Sequence, residues 1–368
     1  MVLRKGSPPG AAICDTGRRR GRLAIEPPNR IVGPEAIEDF VAEWRNLAAS
    51  VAGCSYFQTP DWVLAWWETL GGRPLTEYAV WRGASGRLEA VVALSRIRER
   101  IHPRLPFGVR VWVNSGSGAG AADHCGWVVL PRRVADVRSW VEKQTAGALE
   151  LRNLGSEAAY VPPSALPVDE SPCPRLDLPL EGGVLGRSRN FRQQLRARER
   201  KVAAAGVTFD WVGGAGVDDS LLDRIITLHG GRSTQMGWGT TFDRSRLPFH
   251  RLLVERSSDD HGPVMVVARH QDDVIGIVYG FWWQGTFSYY QLGWDEAWAR
   301  FGLGTVLLAA AIRHTAERGG KVFDFLRGSE EFKYRFGAVD VVDRSWLLRR
   351  GVAARLLAWK RRRRRTGS

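Results

Sequence analysis

The sequence predicts a mixed α/β protein built from two similar halves, and three observations carry that prediction. Strand-like and helical patterns alternate along the whole chain instead of clustering by type. At 368 residues the chain exceeds one ordinary core, which points to about two domains. Two distant segments, "TAGALELRNLG" and "ERGGKVFDFLRG", share one order: a helix ends in glycine, a strand follows, and arginine and glycine close it. Each half should then be a mixed central sheet flanked by helices. The 44% hydrophobic and 25% charged residues are globular values, and sixteen tryptophans supply large surfaces to bury.

Residues 1–30, rich in Gly, Pro and Arg, read as a disordered basic segment. A first domain over 31–180 opens with a helical pattern from Pro34 to about Val51. In "SYFQTPDWVLAWWETLGG" Thr59 is placed to cap a helix, Pro60 suits its first position, and Gly71 and Gly72 stop it. "TEYAVWR" and "LEAVVALSRIRE" flank the turn-like "GASG" and form a hairpin. "VRVWVN" is a further strand, "SGSGAGA" a loop, Arg132 to about Gln144 a helix and "ALELRNLG" a strand. Six prolines between Pro162 and Pro179 read as an extended connection, with a boundary near residue 180.

The second domain, 181–348, begins with the helices "NFRQQLRARERKVAAAG" and "DDSLLDRIITLHGG". Three strands follow in "PVMVVARH", "VIGIVYGFWW" and "TFSYYQLGW", then a helix from about Leu303 to Arg318 and the strand "KVFDFL". Residues 349–368 form a basic tail.

The formal net charge of +14 resembles a nucleic-acid signature until it is mapped. Residues 1–30 hold seven Lys/Arg against two acids and 344–368 hold ten against none, so the interior is close to neutral and no domain-wide basic face is indicated. The tail is either a solvated charged terminus or an amphipathic basic helix that touches anionic membrane or RNA. Four scattered cysteines without metal spacing fit a reducing compartment, and no metal site is expected. With no apolar leader near Met1 and no membrane-length apolar run, the expected location is the cytoplasm, with the inner face of the membrane as the tail's alternative. Oligomeric state stays open.

The chemistry is concentrated in "KVFDFLRGSEEFKYRFG". Aspartate is disfavoured in strands and costly to bury, so Asp324 between Val322 and Leu326 needs a reason: a base or acceptor-orienting group, or a structural ion pair with Arg327, Lys333 or an arginine of the 192–200 helix. In "ARFGLGTVL" Gly302, Gly304 and Thr305 could aim backbone amides at a phosphate, or could serve only the turn. This is neither a P-loop nor a dinucleotide fingerprint. Arg192, Arg196 and Arg200 recur at i, i+4 as a basic stripe that holds a phosphate-bearing ligand or is only solvated. Asp123 and His124, after the Gly/Ser loop, could border an acceptor cleft. Trp62, Trp66 and Trp67 read as packing and His229 as a core or helix-end residue. No Ser-His-Asp or Cys-His order is visible.

Together the three-strand run, the glycine turn, the helix and "FDFLRGSEEFKYRFG", with "SYFQTPDWVLAWW" and "FRQQLRARERKVAAAG", resemble the CelD-type branch of the GNAT acetyltransferases, related to FemAB/FemX-like transferases. The likeness spans about residues 35–345 and implies two tandem GNAT-like domains. It implies acyl transfer from acetyl-CoA or another acyl-CoA to an amine or hydroxyl, with the donor's pyrophosphate at Arg300, Gly302, Gly304 and Thr305. Ala299 departs from the family's turn, which has Gln or Arg there. "EFKYRFG" is similar to a Phe-Lys element of FemX-like enzymes, so Lys333 could bind phosphate or steady an oxyanion, while Tyr334 could protonate a thiolate or pack beside Phe332 and Phe336. Asp324 would be the base. Arg327, Arg196, Asp123, His124 and Arg232, the last in a family-like "LH..R" pattern, would contact the acceptor, a small molecule or glycan precursor of the cell envelope. Two alternatives stand beside this: an aminoacyl-tRNA donor, or a non-catalytic binding scaffold.

Overall fold

The computed structural model describes residues 29–32, 41–101, 108–118, 122–143, 147–156, 158–180, 185–235, 242–348 and 351–365, and only the backbone of 29–32, 231–235 and 362–365. Of the segment 1–30 expected to be disordered, residues 1–28 lie outside them, and Asn29 and Arg30 belong instead to a strand.

The first half contains β1 (Asn29–Val32), α1 (Val41–Ser50), α2 (Pro60–Glu68), β2 (Leu75–Arg82), β3 (Leu88–Arg100), β4 (Gly108–Asn114), β5 (Val128–Val129), α3 (Val134–Lys143), β6 (Ala148–Leu154) and β7 (Leu166–Asp177). The second holds α4 (Arg189–Ala204), β8 (Val207–Gly213), α5 (Asp219–Gln235), α6 (Leu247–Glu255), β9 (Gly262–His270), β10 (Asp273–Trp283) and β11 (Thr286–Trp294). It continues with α7 (Leu303–Glu317), β12 (Val322–Asp324), α8 (Glu331–Arg335), β13 (Val339–Leu348) and α9 (Gly351–Arg365). Local chemistry sets several boundaries. The Thr59 hydroxyl accepts from the Trp62 amide at the start of α2, with Pro60 behind it, and the Ser188 hydroxyl accepts from the Phe191 amide to start α4.

All thirteen strands form one mixed sheet in the order β1-β2-β3-β4-β6-β13-β7-β12-β11-β10-β9-β8, with β5 beside β3. The two central strands are exchanged. β7, which precedes residue 180, pairs antiparallel with β12 of the second half, and β13 returns to pair with β6 of the first. The proline-rich segment read as a connection is therefore partly a strand, and β13, β8 and α6 are elements that the periodicity did not reveal. Helices cover both faces. Trp62 of α2 meets Phe249 of α6 and Phe281 of β10 edge-on at 4.8 and 5.4 Å, so α1 and α2 share one apolar core with α5 and α6 across the halves. A second core lies under α4 and α7 and a third under α3.

The tail departs from a solvated terminus. α9 buries Ala354, Leu357 and Ala358 against Val111, Val113, Ala148 and Leu347. Its Arg361 pairs with Glu150 at 2.7 Å and with Glu99 at 2.9 Å, and Lys360 meets Glu99 at 2.7 Å. No helix among the described residues is long and apolar enough to cross a membrane.

Candidate functional site

The site forms where the two halves meet, at the end of β12. Its parallel partner β11 pairs with β12 only over Thr286–Ser288, against Val322–Asp324. Beyond Ser288, residues 289–294 of β11 have no strand partner on that side among the described residues. Asp324 thus stands at an interruption of the sheet.

Asp324 is almost fully buried, at 6% exposed. One carboxylate oxygen accepts the Leu326 amide at 2.7 Å, and the other lies 2.9 Å from His124 Nε2. His124 Nδ1 is in turn 2.7 Å from Asp343 Oδ1, and the His124 amide donates to Asp343 Oδ2 at 2.5 Å. An imidazole is therefore held between two carboxylates that come from β12 and β13. Next to it the Arg327 amide donates to Asp123 Oδ2 at 3.0 Å, and its guanidinium lies 3.3 Å from Asp123 Oδ1.

Loop 122–124 reaches this point because both sides restrain it. Asn153 donates to the Ala122 carbonyl at 3.0 Å and Ser55 to the His124 carbonyl at 2.9 Å. His124 itself adopts φ 48°, a left-handed conformation uncommon outside glycine, as does Leu326 at φ 56°. The second is fixed by Asp324 from one side and Lys333 from the other. Lys333, 2% exposed, donates to the carbonyls of Leu326, Arg327 and Gly328 at 3.3, 3.0 and 3.0 Å and pairs with Glu330 at 2.8 Å.

The electrostatics follow from burial and pairing. Burial alone would lower the imidazole pKa of His124, but Asp324 and Asp343 override it and raise it well above the usual value, so the ring is a cation. Burial raises the Asp123 carboxyl, with Arg327 opposing. The Cys125 thiol is pushed well up by burial and then by Asp123 and Asp343, and burial pushes up Cys173 as well, which keeps both neutral and unreactive. His124, Cys173 and Asp343 each place one ligand-type atom within 4.8 Å of the others, a trio the sequence spacing did not suggest. Both nitrogens of His124 already face carboxylates, so the geometry is that of a paired imidazolium.

The structure thus brings Asp123, His124, Asp324 and Arg327 together and adds Asp343. Asp343 carries the same signal as Asp324, a carboxylate within an apolar strand run, "VDVVDRSW", and lies outside the residues expected from the sequence. Other expected residues lie elsewhere. Lys333 spends its donors on backbone carbonyls, which corrects both the oxyanion role and the solvated alternative. The Tyr334 hydroxyl donates to Asp340 at 2.9 Å on the outer side of α8, away from the trio. Arg196 is exposed on α4, and Arg300 is exposed, stacked over Phe301 at 4.9 Å. The side chain of Arg232 lies outside the described residues.

At the α7 turn, Gly302 has φ 71° and no side-chain cap stands before the helix. Arg198, not the expected stripe, reaches this point and donates to Thr305 Oγ1 at 3.3 Å. A side chain on Gly304 would lie 2.8 Å from the Trp294 ring, so glycine there is required by packing.

Residues 189–334 match the acetyltransferase (GNAT) domain. This span runs from α4 through Tyr334 and contains the α7 turn and Asp324, whereas Asp123, His124 and Asp343 lie outside it. The fold is similar to that of FemX, with TM-score 0.59 and 10% identity over 84% of this chain and 95% of that one. It is also similar to the C-terminal domain (DUF2156) of a putative lysylphosphatidylglycerol synthetase from Agrobacterium fabrum, with TM-score 0.53 and 13% identity over 87% and 94% of the chains. A protein of unknown function from Bacteroides thetaiotaomicron aligns at TM-score 0.51 and 11% identity over 83% and 96%. No curated protein is significantly similar in sequence. The GNAT-matched span supplies the interrupted sheet and the α7 turn, and the residues outside it supply His124 and its second carboxylate.

Proposed function

We propose that this protein transfers an acyl group from an acyl-CoA to an amine or hydroxyl acceptor, with Asp324 at the reacting centre. The observation that carries the reading is the interruption of the sheet. The edge of β11 past the end of β12, from Tyr289 to Trp294, is roughly 20 Å long at the usual rise per residue. The capless start of α7 follows its far end, and the Asp324–His124–Asp343 trio closes its near end. An extended donor arm with amide groups would pair with that edge, its phosphates near Arg198, Thr305 and the positive end of the α7 dipole.

In this reading Asp324 orients the acceptor and takes its proton as the acceptor's N or O bonds to the acyl carbon and the carbon–sulfur bond breaks; the departing thiolate takes up a proton. His124, charged and fixed by Asp343, holds the Asp324 carboxylate in place. Arg327 and Asp123 line the acceptor side. Lys333 is a positioning residue that keeps loop 326–328 folded behind Asp324.

One observation favours a second donor. Trp294 covers Gly304, Arg198 crowds Gly302 and Ala299 offers no polar side chain, so the turn is tight for a pyrophosphate. An aminoacyl-tRNA donor needs no such contact and would suit the basic ends of the chain.

Calorimetric titration with acetyl-CoA and longer acyl-CoAs, paired with a transfer assay on amino-sugar and hydroxyl acceptors, tests both. The primary reading expects saturable thioester binding and turnover lost in Asp324→Asn. Turnover with aminoacyl-tRNA alone would transfer the conclusion to the second donor, and absence of binding to either would leave a non-catalytic scaffold.

A further inference from the structure

A cleft of about 190 Å³ opens near the β8 edge of the sheet. Two half-buried indoles line it, Trp211 of β8 and Trp282 of β10, set edge to face at 5.7 Å, and the guanidinium of Arg318, at the end of α7, lies over the Trp211 ring at 4.9 Å. The turn 256–261 between α6 and β9 adds Ser258, Asp259 and Asp260. This turn is fixed from within. His261 Nε2 donates to the Arg256 carbonyl at 3.2 Å, which leaves Nδ1 to accept the Ser258 hydroxyl at 2.8 Å, and the Asp260 amide donates to Ser258 Oγ at 3.3 Å. Glycines leave room beside two of the polar groups: a Cβ on Gly214, which has φ 55°, would stand 3.4 Å from Asp259 Oδ1, and one on Gly213 would stand 3.6 Å from Trp211 Nε1. Among the described residues, the indole N–H groups of Trp211 and Trp282, the carboxylates of Asp259 and Asp260 and the Arg318 guanidinium have no hydrogen-bond or ion-pair partner.

We propose that this cleft binds one neutral sugar ring, its C–H face on the indole surface and its hydroxyls shared between the acids and the N–H donors. The mixture of unused groups selects the ligand. A cation would meet the Arg318 guanidinium, and an anion would meet Asp259 and Asp260. A hydroxyl both donates and accepts, so a ring of hydroxyls serves donors and acceptors together, while indole supplies an apolar wall with a polar edge. The size agrees: 190 Å³ is below the roughly 300–1,000 Å³ of pockets that enclose drug-sized ligands, and suits a single ring. β8 stands four strand spacings from β12, roughly 19 Å, and both tryptophans pack on the core under α4 and α7. The cleft is therefore a docking point separate from Asp324. The inference is independent of the acyl-transfer reading and holds whichever donor is used.

The test is titration of the full chain with glucose, galactose, mannose, N-acetylglucosamine and their disaccharides, with choline and sulfate as charged controls. Binding is followed by calorimetry and by NMR of the tryptophan indole N–H groups, with the signals of residues 211 and 282 identified from Trp211→Phe and Trp282→Phe. At least one sugar should bind saturably and move both signals, with similar affinity as mono- and disaccharide. Trp282→Ala should weaken binding by about tenfold, from lost stacking and apolar contact. Asp259→Asn with Asp260→Asn should weaken it by about fivefold, because an amide oxygen accepts a weaker hydrogen bond than a carboxylate. The two acids are exposed, so this second variant should melt at the parent temperature and decides the question if Trp282→Ala is poorly folded. Asp324→Asn should bind the sugar as the parent does. The proposal is overturned if no sugar binds, if the acid pair variant binds as tightly as the parent, or if choline or sulfate moves the two indole signals where sugars do not. Loss of sugar binding in Asp324→Asn would equally overturn it, since the ring would then sit at the reacting centre.

Discussion

Two histidines taken out of water end in opposite charge states. His250, on α6, is fully buried among Phe242, Phe249, Tyr279 and Tyr290, with ring centroids 5.1, 5.1, 5.3 and 5.8 Å away. Its Nδ1 faces the Tyr279 hydroxyl at 2.9 Å, Nε2 has no hydrogen-bond partner among the described residues, and burial pushes its pKa down to about 3. His124 suffers the same desolvation, yet Asp324 and Asp343 raise its pKa well above the ordinary value. Burial always disfavours the charged imidazole, and only adjacent carboxylates reverse the sign. The apolar core therefore holds a histidine that does no ionic work, while the seam holds one that is an internal counter-ion.

The largest effect expected from breaking this contrast is at Asp324. Asp324→Asn keeps the shape of the seam and removes a charge, and should lower kcat for acyl transfer by about 10²–10⁴-fold with donor affinity retained. Equal kcat in the two proteins would remove Asp324 from the chemistry. Next comes Lys333→Met, which leaves three carbonyls without their donor. It should cost about 2–4 kcal/mol in urea unfolding and slow transfer without altering the proton-taking group.

The pH dependence of stability separates the two rings. For His250 the folded pKa lies below the unfolded one, so stability is intact above about pH 6.5. It falls by up to roughly 1.4 kcal/mol per pH unit as pH drops toward about 3. His250→Phe should flatten that acid limb, measured as denaturation midpoints across pH. For His124 the folded pKa is raised, so its contribution is complete below about pH 6.5 and is lost as pH climbs through the folded value. Asp343→Asn should bring that loss to lower pH and lower the imidazole's titration midpoint seen by NMR. An unmoved midpoint would show that Asp343 does not charge the ring. The smallest change is expected for Arg198→Ala, a rise in KM for an acyl-CoA of a few fold with kcat unchanged, since the arginine touches the turn and not the reacting end.

Asp324 was legible because it violates a local rule: a carboxylate in a strand demands a partner. The Asp123-His124 pair could be named from its loop, but nothing in the spacing of residues 124, 324 and 343 shows that they touch. Asp343 breaks the same rule, but the periodicity does not mark β13 as a strand, so the rule gives no expectation there. The arginine stripe on α4 misled for a related reason. Helical periodicity shows which arginines share a face, not which face looks at the α7 turn, and the residue that reaches it is Arg198.

What the chain dictates by itself is local: the Thr59 and Ser188 caps, the hairpin around residue 85, the alternation that makes an α/β protein, and the anomaly of a strand aspartate. These depend on interactions within a few residues, where covalent geometry limits the choices. The tertiary structure alone decided that β7 and β13 exchange places at the centre of the sheet, that Lys333 serves the backbone, and that one buried histidine is charged and the other neutral. Ionisation and pairing depend on distance and dielectric between groups hundreds of residues apart in sequence, and those quantities exist only once the chain has folded.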